Sequence, residues 1–204
     1  MTRRFNISLK RVRPRIGLLF AMWLLLLSGC AQQLDRNTCM SLARGVDYCL
    51  APLQSDVNQS QTQQVSIAVQ GERHQLLSQL EIVPQQLTLV GLAPLGQALF
   101  TVTYDGHSVS SQQSILLGDQ FKAEYLLGLL QLIYWPIEDV NRNLHGGQLR
   151  SADCDAAQCR SLYANGSDTP QIEIRYNQQS LWMAKVALSI AQADLTLTIN
   201  PIAE

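Results

Sequence analysis

Residues 85–106 read QQLTLVGLAPLGQALFTVTYDG, and this stretch decides the class of the fold. Two apolar runs, residues 87–92 and 98–104, flank the turn sequence Ala93-Pro94-Leu95-Gly96. In the second run Ala98, Phe100, Val102 and Tyr104 share one parity while Leu99, Thr101 and Thr103 take the other. That period of two is the signature of a strand with one buried face. Pro94 removes a ladder donor and Gly96 tolerates backbone angles that other residues avoid, so the chain reverses sharply there. Asp105-Gly106 signals a second tight hairpin. Leu92 and Leu95 stand at the reversal, and an apolar loop tip of this kind often touches something outside the protein.

Working outward, alternation continues on both sides. Val65, Ile67 and Val69 predict a strand ending at Gly71, and Leu76, Leu80 and Ile82 predict the next. Residues 109–117 form a weaker strand, giving a meander with short connections. The pattern switches at Asp119, which suits a helix N-cap. In the segment DQFKAEYLLGLLQLIYW, Phe121, Tyr125, Leu129 and Leu132 follow helical spacing, and so do Leu126, Leu130 and Ile133. A helix apolar nearly all round is buried nearly all round. Pro136 ends or kinks it after Trp135, and a second short helix is expected over residues 137–144. Strands then return: a hairpin over 148–163, alternation at Ile172, Ile174 and Tyr176, and two last strands over 182–191 and 195–199. Strands, helices and strands again predict an α+β fold with a large antiparallel sheet.

The start of the chain reads as a targeting segment. Arg3, Arg4, Lys10, Arg11, Arg13 and Arg15 precede an apolar run over residues 16–27. The run is shorter than the roughly 20 residues a membrane span wants and fits a secretory signal. Its ending, Leu27-Ser28-Gly29-Cys30, resembles a bacterial lipobox. That resemblance implies a signal peptide over 1–29, lipidation of Cys30 (palmitate among the acyl groups) and a membrane-anchored mature protein. By resemblance to enterobacterial sorting, Ala31 in place of Asp after the cysteine implies the periplasmic face of the outer membrane. Removing the segment takes six of 15 basic residues and none of 16 acidic ones, leaving a net charge near −7. No basic stripe remains to neutralise phosphates, so no nucleic-acid partner is expected.

Four further cysteines, Cys39, Cys49, Cys154 and Cys159, form an even set that in an oxidising periplasm reads as disulfides. Three connectivities are possible; local pairing, Cys39 with Cys49 and Cys154 with Cys159, is expected. The spacings do not suit a zinc site, and His74, His107 and His145 are scattered, so no metal and no cofactor is expected. Residues 30–64 read as a lipid-anchored tether carrying a short helix between Cys39 and Cys49, with the polar run 54–64 as loop. The folded domain is expected over 65–204.

The lipobox, the hairpin VGLAPLGQALFTVTYDG and the segment LLGLLQLIYWP together resemble an uncharacterised family of small bacterial lipoproteins encoded beside aryl-polyene and fatty-acid-like biosynthesis genes. They also resemble the LolA/LolB lipoprotein carriers, in which a Pro-Leu-Gly turn leads into a strand ending in Asp-Gly. The resemblance implies an open half-barrel of antiparallel strands covered by helices. It also implies a non-enzymatic carrier or acceptor for an acyl or polyene lipid, or for a lipidated protein.

No Gly-x-Ser-x-Gly elbow, His-Glu-x-x-His motif or phosphate-cradling glycine loop occurs. Asp105 beside His107 is turn chemistry, and Glu138 with Asp139 are adjacent helix positions that face apart. No enzyme is expected. The aromatic set Phe100, Tyr104, Phe121, Tyr125, Tyr134, Trp135 and Trp182 forms either a ligand-contacting wall or plain core. A cargo pocket is expected between the strand carrying Phe100, Val102 and Tyr104 and the helix carrying Tyr125, Leu126, Leu129, Leu130, Ile133 and Trp135. The alternative is a structural envelope module whose core is filled and whose surface binds a protein partner.

Overall fold

The computed structural model describes residues 33–36, 38–117 and 122–202. The signal segment, Cys30, Asp119 and Phe121 lie outside the described residues.

The inward-facing alternation read from residues 85–106 extends across most of the described residues. Strands β1 (Gln33–Arg36), β2 (Cys39–Ala43), β3 (Val46–Cys49), β4 (Gln59–Val69), β5 (Glu72–Val83), β6 (Gln86–Leu92), β7 (Ala98–Tyr104) and β8 (Val109–Gln113) precede the helices. Strands β9 (Leu144–His145), β10 (Gly147–Ser151), β11 (Gln158–Ala164), β12 (Pro170–Tyr176), β13 (Val186–Ile190) and β14 (Leu195–Pro201) follow them. Eleven strands make one antiparallel sheet in the order β1-β8-β7-β6-β5-β4-β14-β13-β12-β11-β10, and β2-β3-β9 make a second. Two meanders, β4 to β8 and β10 to β14, thus join where β4 pairs β14.

The expected α+β architecture, a LolA/LolB-like half-barrel covered by helices, is overturned. The fold is mostly antiparallel β, its edge strands β1 and β10 do not pair to close a barrel, and its helices do not cover the sheet. The described α-helices are α1 (Ala123–Tyr134, 12 residues) and α2 (Ile137–Arg142, six residues), too little to roof eleven strands. Helix α1 lies between the two sheets instead: Gln131 bonds Tyr48 and Ala51 beside the three-stranded sheet, and Tyr176 of the eleven-stranded sheet bonds the Ile133 carbonyl.

Three local expectations are also corrected. Residues 39–49 form the β2–β3 hairpin and not a helix, with Cys39 opposite Cys49 and bonded to it. Parity explains it: Val46 and Tyr48 are fully buried while Asp47 between them is exposed. The polar run before Val65 is largely strand, because β4 begins at Gln59 and is laddered to β5 throughout. A tether ending at residue 64 therefore does not hold, since Tyr48, Leu50 and Ala51 belong to the core. Finally, α1 begins at Ala123 with Lys122 at its N-cap, which makes no side-chain capping bond. The second disulfide joins Cys154 to Cys159 at the β10–β11 turn.

Candidate functional site

Helix α1 presents two stripes. One carries Leu127, Gly128 and Gln131 toward the three-stranded sheet. A Cβ at Gly128 would lie 2.7 Å from Met40 Sδ and 3.3 Å from Leu42 Cδ2, so the helix sits close enough to β2 that a methyl there would push the Met40 side chain aside. Gln131, fully buried, accepts from Tyr48 Oη (2.7 Å) and the Ala51 N–H (2.8 Å) through Oε1, and donates to the Ala51 carbonyl (2.9 Å) through Nε2.

The end of α1 is held from the other side. Arg160 on β11 donates through one guanidinium nitrogen to the carbonyls of Leu132 (3.0 Å) and Trp135 (2.7 Å), and Tyr176 on β12 donates to that of Ile133 (2.7 Å). Carbonyls at a helix end lack intrahelical partners and attract a cation, so these contacts suit the site. Arg160 is 4 % exposed, and burial lowers its pKa, opposed by Tyr176 and Glu138.

The other stripe, Leu126, Leu129, Leu130 and Ile133, follows the i, i+3, i+4, i+7 spacing and faces a cavity of about 600 Å³. The opposite wall comes from the inner faces of β14 (Leu197, Ile199), β4 (Gln63, Val65, Ile67), β5 (His74, Leu76, Ser78), β6 (Leu89) and β7 (Phe100). Register explains the convergence. Gln63 pairs Ser78, Ser78 pairs Gly91 and Gly91 pairs Phe100, so these four side-chain positions stand in one row across the sheet. Gly91 belongs to the cavity wall indirectly: a Cβ there would lie 2.2 Å from Phe100 Cε1, so only glycine leaves space for the ring. One end of the cavity is open, where Arg73, His74 and Gln75 are exposed and Leu99, Leu117 and Leu126 half-buried. Among the described residues Arg73 makes no ion pair, while His74 Nε2 lies 3.7 Å from Glu72.

The closed end is polar. Gln63 and Ser78 are 2 % and 3 % exposed, Gln63 Nε2 donates to Tyr134 Oη at 3.0 Å, and Ser78 Oγ donates to Gln63 Oε1 at 3.4 Å. Tyr134 in turn stacks on Trp182, with ring centroids 4.3 Å apart. Burial pushes the Tyr134 phenol up to about 12, with the Gln63 hydrogen bond opposing.

Of the residues expected around a pocket, Phe100, Leu126, Leu129, Leu130 and Ile133 line the cavity. Val102, Tyr104, Tyr125 and Trp135 do not. Val102 and Tyr104 lie further along the inner face of β7, beyond the closed end. Tyr104 donates its hydroxyl among the carbonyls of Gly106 (3.0 Å), Ala51 (3.2 Å) and Leu50 (3.3 Å). Burial pushes its phenol up to about 12, and Asp105 adds to the shift. Tyr125 Oη reaches Leu42 O at 3.5 Å, and Trp135 Nε1 donates to Pro52 O at 3.4 Å, so both point toward the small-sheet side. Of the aromatic set, then, only Phe100 is a wall of the cavity among the described residues. Sequence reading missed the β4–β5–β14 wall and above all Gln63 and Ser78. Their signal was present as polar residues at inward parity, since Ser78 shares parity with Leu76 and Leu80.

The candidate catalytic pairs serve local structure. Asp105 Oδ1 accepts from the backbone of His107 (2.8 Å) and Ser108 (2.7 Å), and Oδ2 from Ser108 Oγ (2.9 Å). The Ser108 and His107 amides hold its carboxyl down at about 2. Asp139 accepts from Gln54 Nε2 (2.8 Å) and pairs with Arg142. Among the described residues no cluster of three or more His, Cys, Asp or Glu suits a metal, and no helix is long and apolar enough to cross a membrane. Leu95 is fully exposed at the β6–β7 turn, while Leu92 is half-buried in β6.

No curated protein matches the chain. The family profile described as "Protein of unknown function (DUF3261)" matches residues 60–203, a span that takes in every residue lining the cavity. With most of its length matched, the chain belongs to the DUF3261 family.

Proposed function

We propose that this protein is a lipid-anchored outer-membrane lipoprotein that carries or accepts an acyl or polyene chain, free or attached to a protein, without catalysing a reaction. The observation that carries this reading is the cavity of about 600 Å³ between the α1 stripe and the β4–β5–β14 wall. Its size lies within the roughly 300–1,000 Å³ of small-molecule sites, and its walls are largely aliphatic. A hydrocarbon chain leaving water for such walls gains about 0.8 kcal/mol per buried CH₂. The exposed rim of Arg73, His74 and Gln75 suits the polar end of such a cargo, and Arg73 supplies a cation for an acidic head. A structural module with a filled core needs no such space. The lipobox resemblance at Cys30 supports the anchor, and Ala31 after it supports the outer membrane.

The reading is tested by native mass spectrometry of the protein purified from cells without its first 30 residues. A co-purifying lipid or pigment is expected; a ligand-free protein with no affinity for apolar probes would sink the carrier. Cys30→Ser is expected to leave unprocessed precursor without lipid label, and normal processing would refute the anchor.

A further inference from the structure

We propose that Gln63 and Ser78 form a hydroxyl-reading subsite at the closed end of the cavity, so that the preferred cargo is an acyl chain bearing a hydroxyl far from its head. This rests on the carrier reading above.

Both residues are more than nine-tenths buried, both line the cavity, and the walls around them are aliphatic or aromatic. A glutamine amide offers two donors and two acceptor lone pairs. Gln63 uses one donor on Tyr134 and one lone pair on Ser78, the latter at 3.4 Å. Ser78 uses its proton and keeps its lone pairs. Among the described residues neither side chain has another hydrogen-bond partner. Their free capacity is therefore a donor, the second Nε2–H of Gln63, beside acceptors on Gln63 and Ser78. A hydroxyl both donates and accepts, so it matches that set, whereas a methyl end leaves it unmet. Each polar atom of the pair already has one partner, so the lever for selectivity is the additional hydrogen bonding that a cargo hydroxyl brings. The position follows from the strand. His74 at the rim and Ser78 share one face of β5 four residues apart, about 13 Å at the usual rise. A hydroxyl beside the head group cannot reach the subsite; one near the chain end can.

The full-length chain is titrated calorimetrically with laurate, ω-hydroxylaurate and β-hydroxylaurate. The ω-hydroxy acid is expected to bind about five- to tenfold more tightly than laurate, and the β-hydroxy acid no more tightly. In a Gln63→Leu, Ser78→Ala double variant the ratio of ω-hydroxylaurate to laurate affinity should fall to about one. Equal binding of laurate and ω-hydroxylaurate to the natural chain overturns the subsite, since water then satisfies both residues. Equal gain from the β-hydroxy acid overturns its depth, and a preference surviving in the double variant overturns its assignment to these residues. Absence of all binding would instead remove the carrier reading, and this inference with it. The three-acid comparison decides the matter even if the double variant fails to fold.

Discussion

The two stripes of α1 carry similar side chains and meet opposite environments. Toward the three-stranded sheet, Leu127 and Gln131 are fully buried, Gly128 admits Met40 and Leu42, and three polar contacts satisfy the Gln131 amide. Toward β4, β5 and β14, Leu126, Leu129, Leu130 and Ile133 face space, and the facing glutamine, Gln63, has half its capacity unused. The difference teaches that an all-round apolar helix does not by itself report a filled core. One stripe can hold the helix in place while the other remains available to a ligand.

The largest effect should come from breaking both stripes at once with alkali. Tyr48 stands behind the packed stripe, with its phenol pushed up chiefly by burial, and Tyr134 behind the cavity, pushed up to about 12. Both folded pKa values exceed the ordinary 10.0, so the stabilisation is complete below pH 10 and is lost as pH rises through the folded values, about 12 for Tyr134. Phenolate absorbance and circular dichroism should change together in one transition above pH 10. Phenolate appearing well before unfolding would show these tyrosines to be accessible.

Next in size is the same substitution made at the two glutamines. Gln131→Leu leaves the Ala51 N–H and Tyr48 without partners, leaves the Ala51 carbonyl to Tyr104 alone, and should cost about 3–5 kcal/mol in urea denaturation. Gln63→Leu should cost about 1 kcal/mol, because fewer bonds are lost and the cavity lies alongside. Equal costs would erase the distinction between the stripes.

A smaller contrast is expected between leucines. Leu127→Ala, on the packed stripe, should destabilise by about 3–4 kcal/mol, and Leu130→Ala, already facing space, by about 1–2 kcal/mol. Gly91→Ala should cost about 1–2 kcal/mol, comparable with Leu130→Ala. Its methyl displaces the Phe100 ring toward the cavity, so it should weaken apolar-probe binding while the fold persists. Unchanged probe binding would place the ligand away from Phe100.

Much of the sheet was legible because strand parity is local. Leu87 and Leu89, Phe100 and Val102, and Ile172 and Ile174 announce buried faces within a few residues of themselves. The β2–β3 hairpin was misread as a helix because Met40, Leu42, Ala43, Val46 and Leu50 also fit a helical stripe, and five apolar residues cannot separate periods of two and 3.6. The run before Val65 looked like loop because its glutamines carry no apolar signal, yet the pairing with β5 and β14 satisfies its backbone all the same.

By itself the sequence determined which side chains share a face: the inward rows of the strands and the Leu126-Leu129-Leu130-Ile133 stripe. It also placed the cysteines close enough along the chain for Cys39–Cys49 and Cys154–Cys159 to form. Only the tertiary structure decided what lies opposite each face. Periodicity is a property of one element, whereas a cavity depends on the distance between elements far apart in the chain. Here the register of β4, β5 and β14 sets one wall and the attachments of Gln131, Arg160 and Tyr176 hold α1 against the other, so the space between them belongs to the assembly and to no single segment.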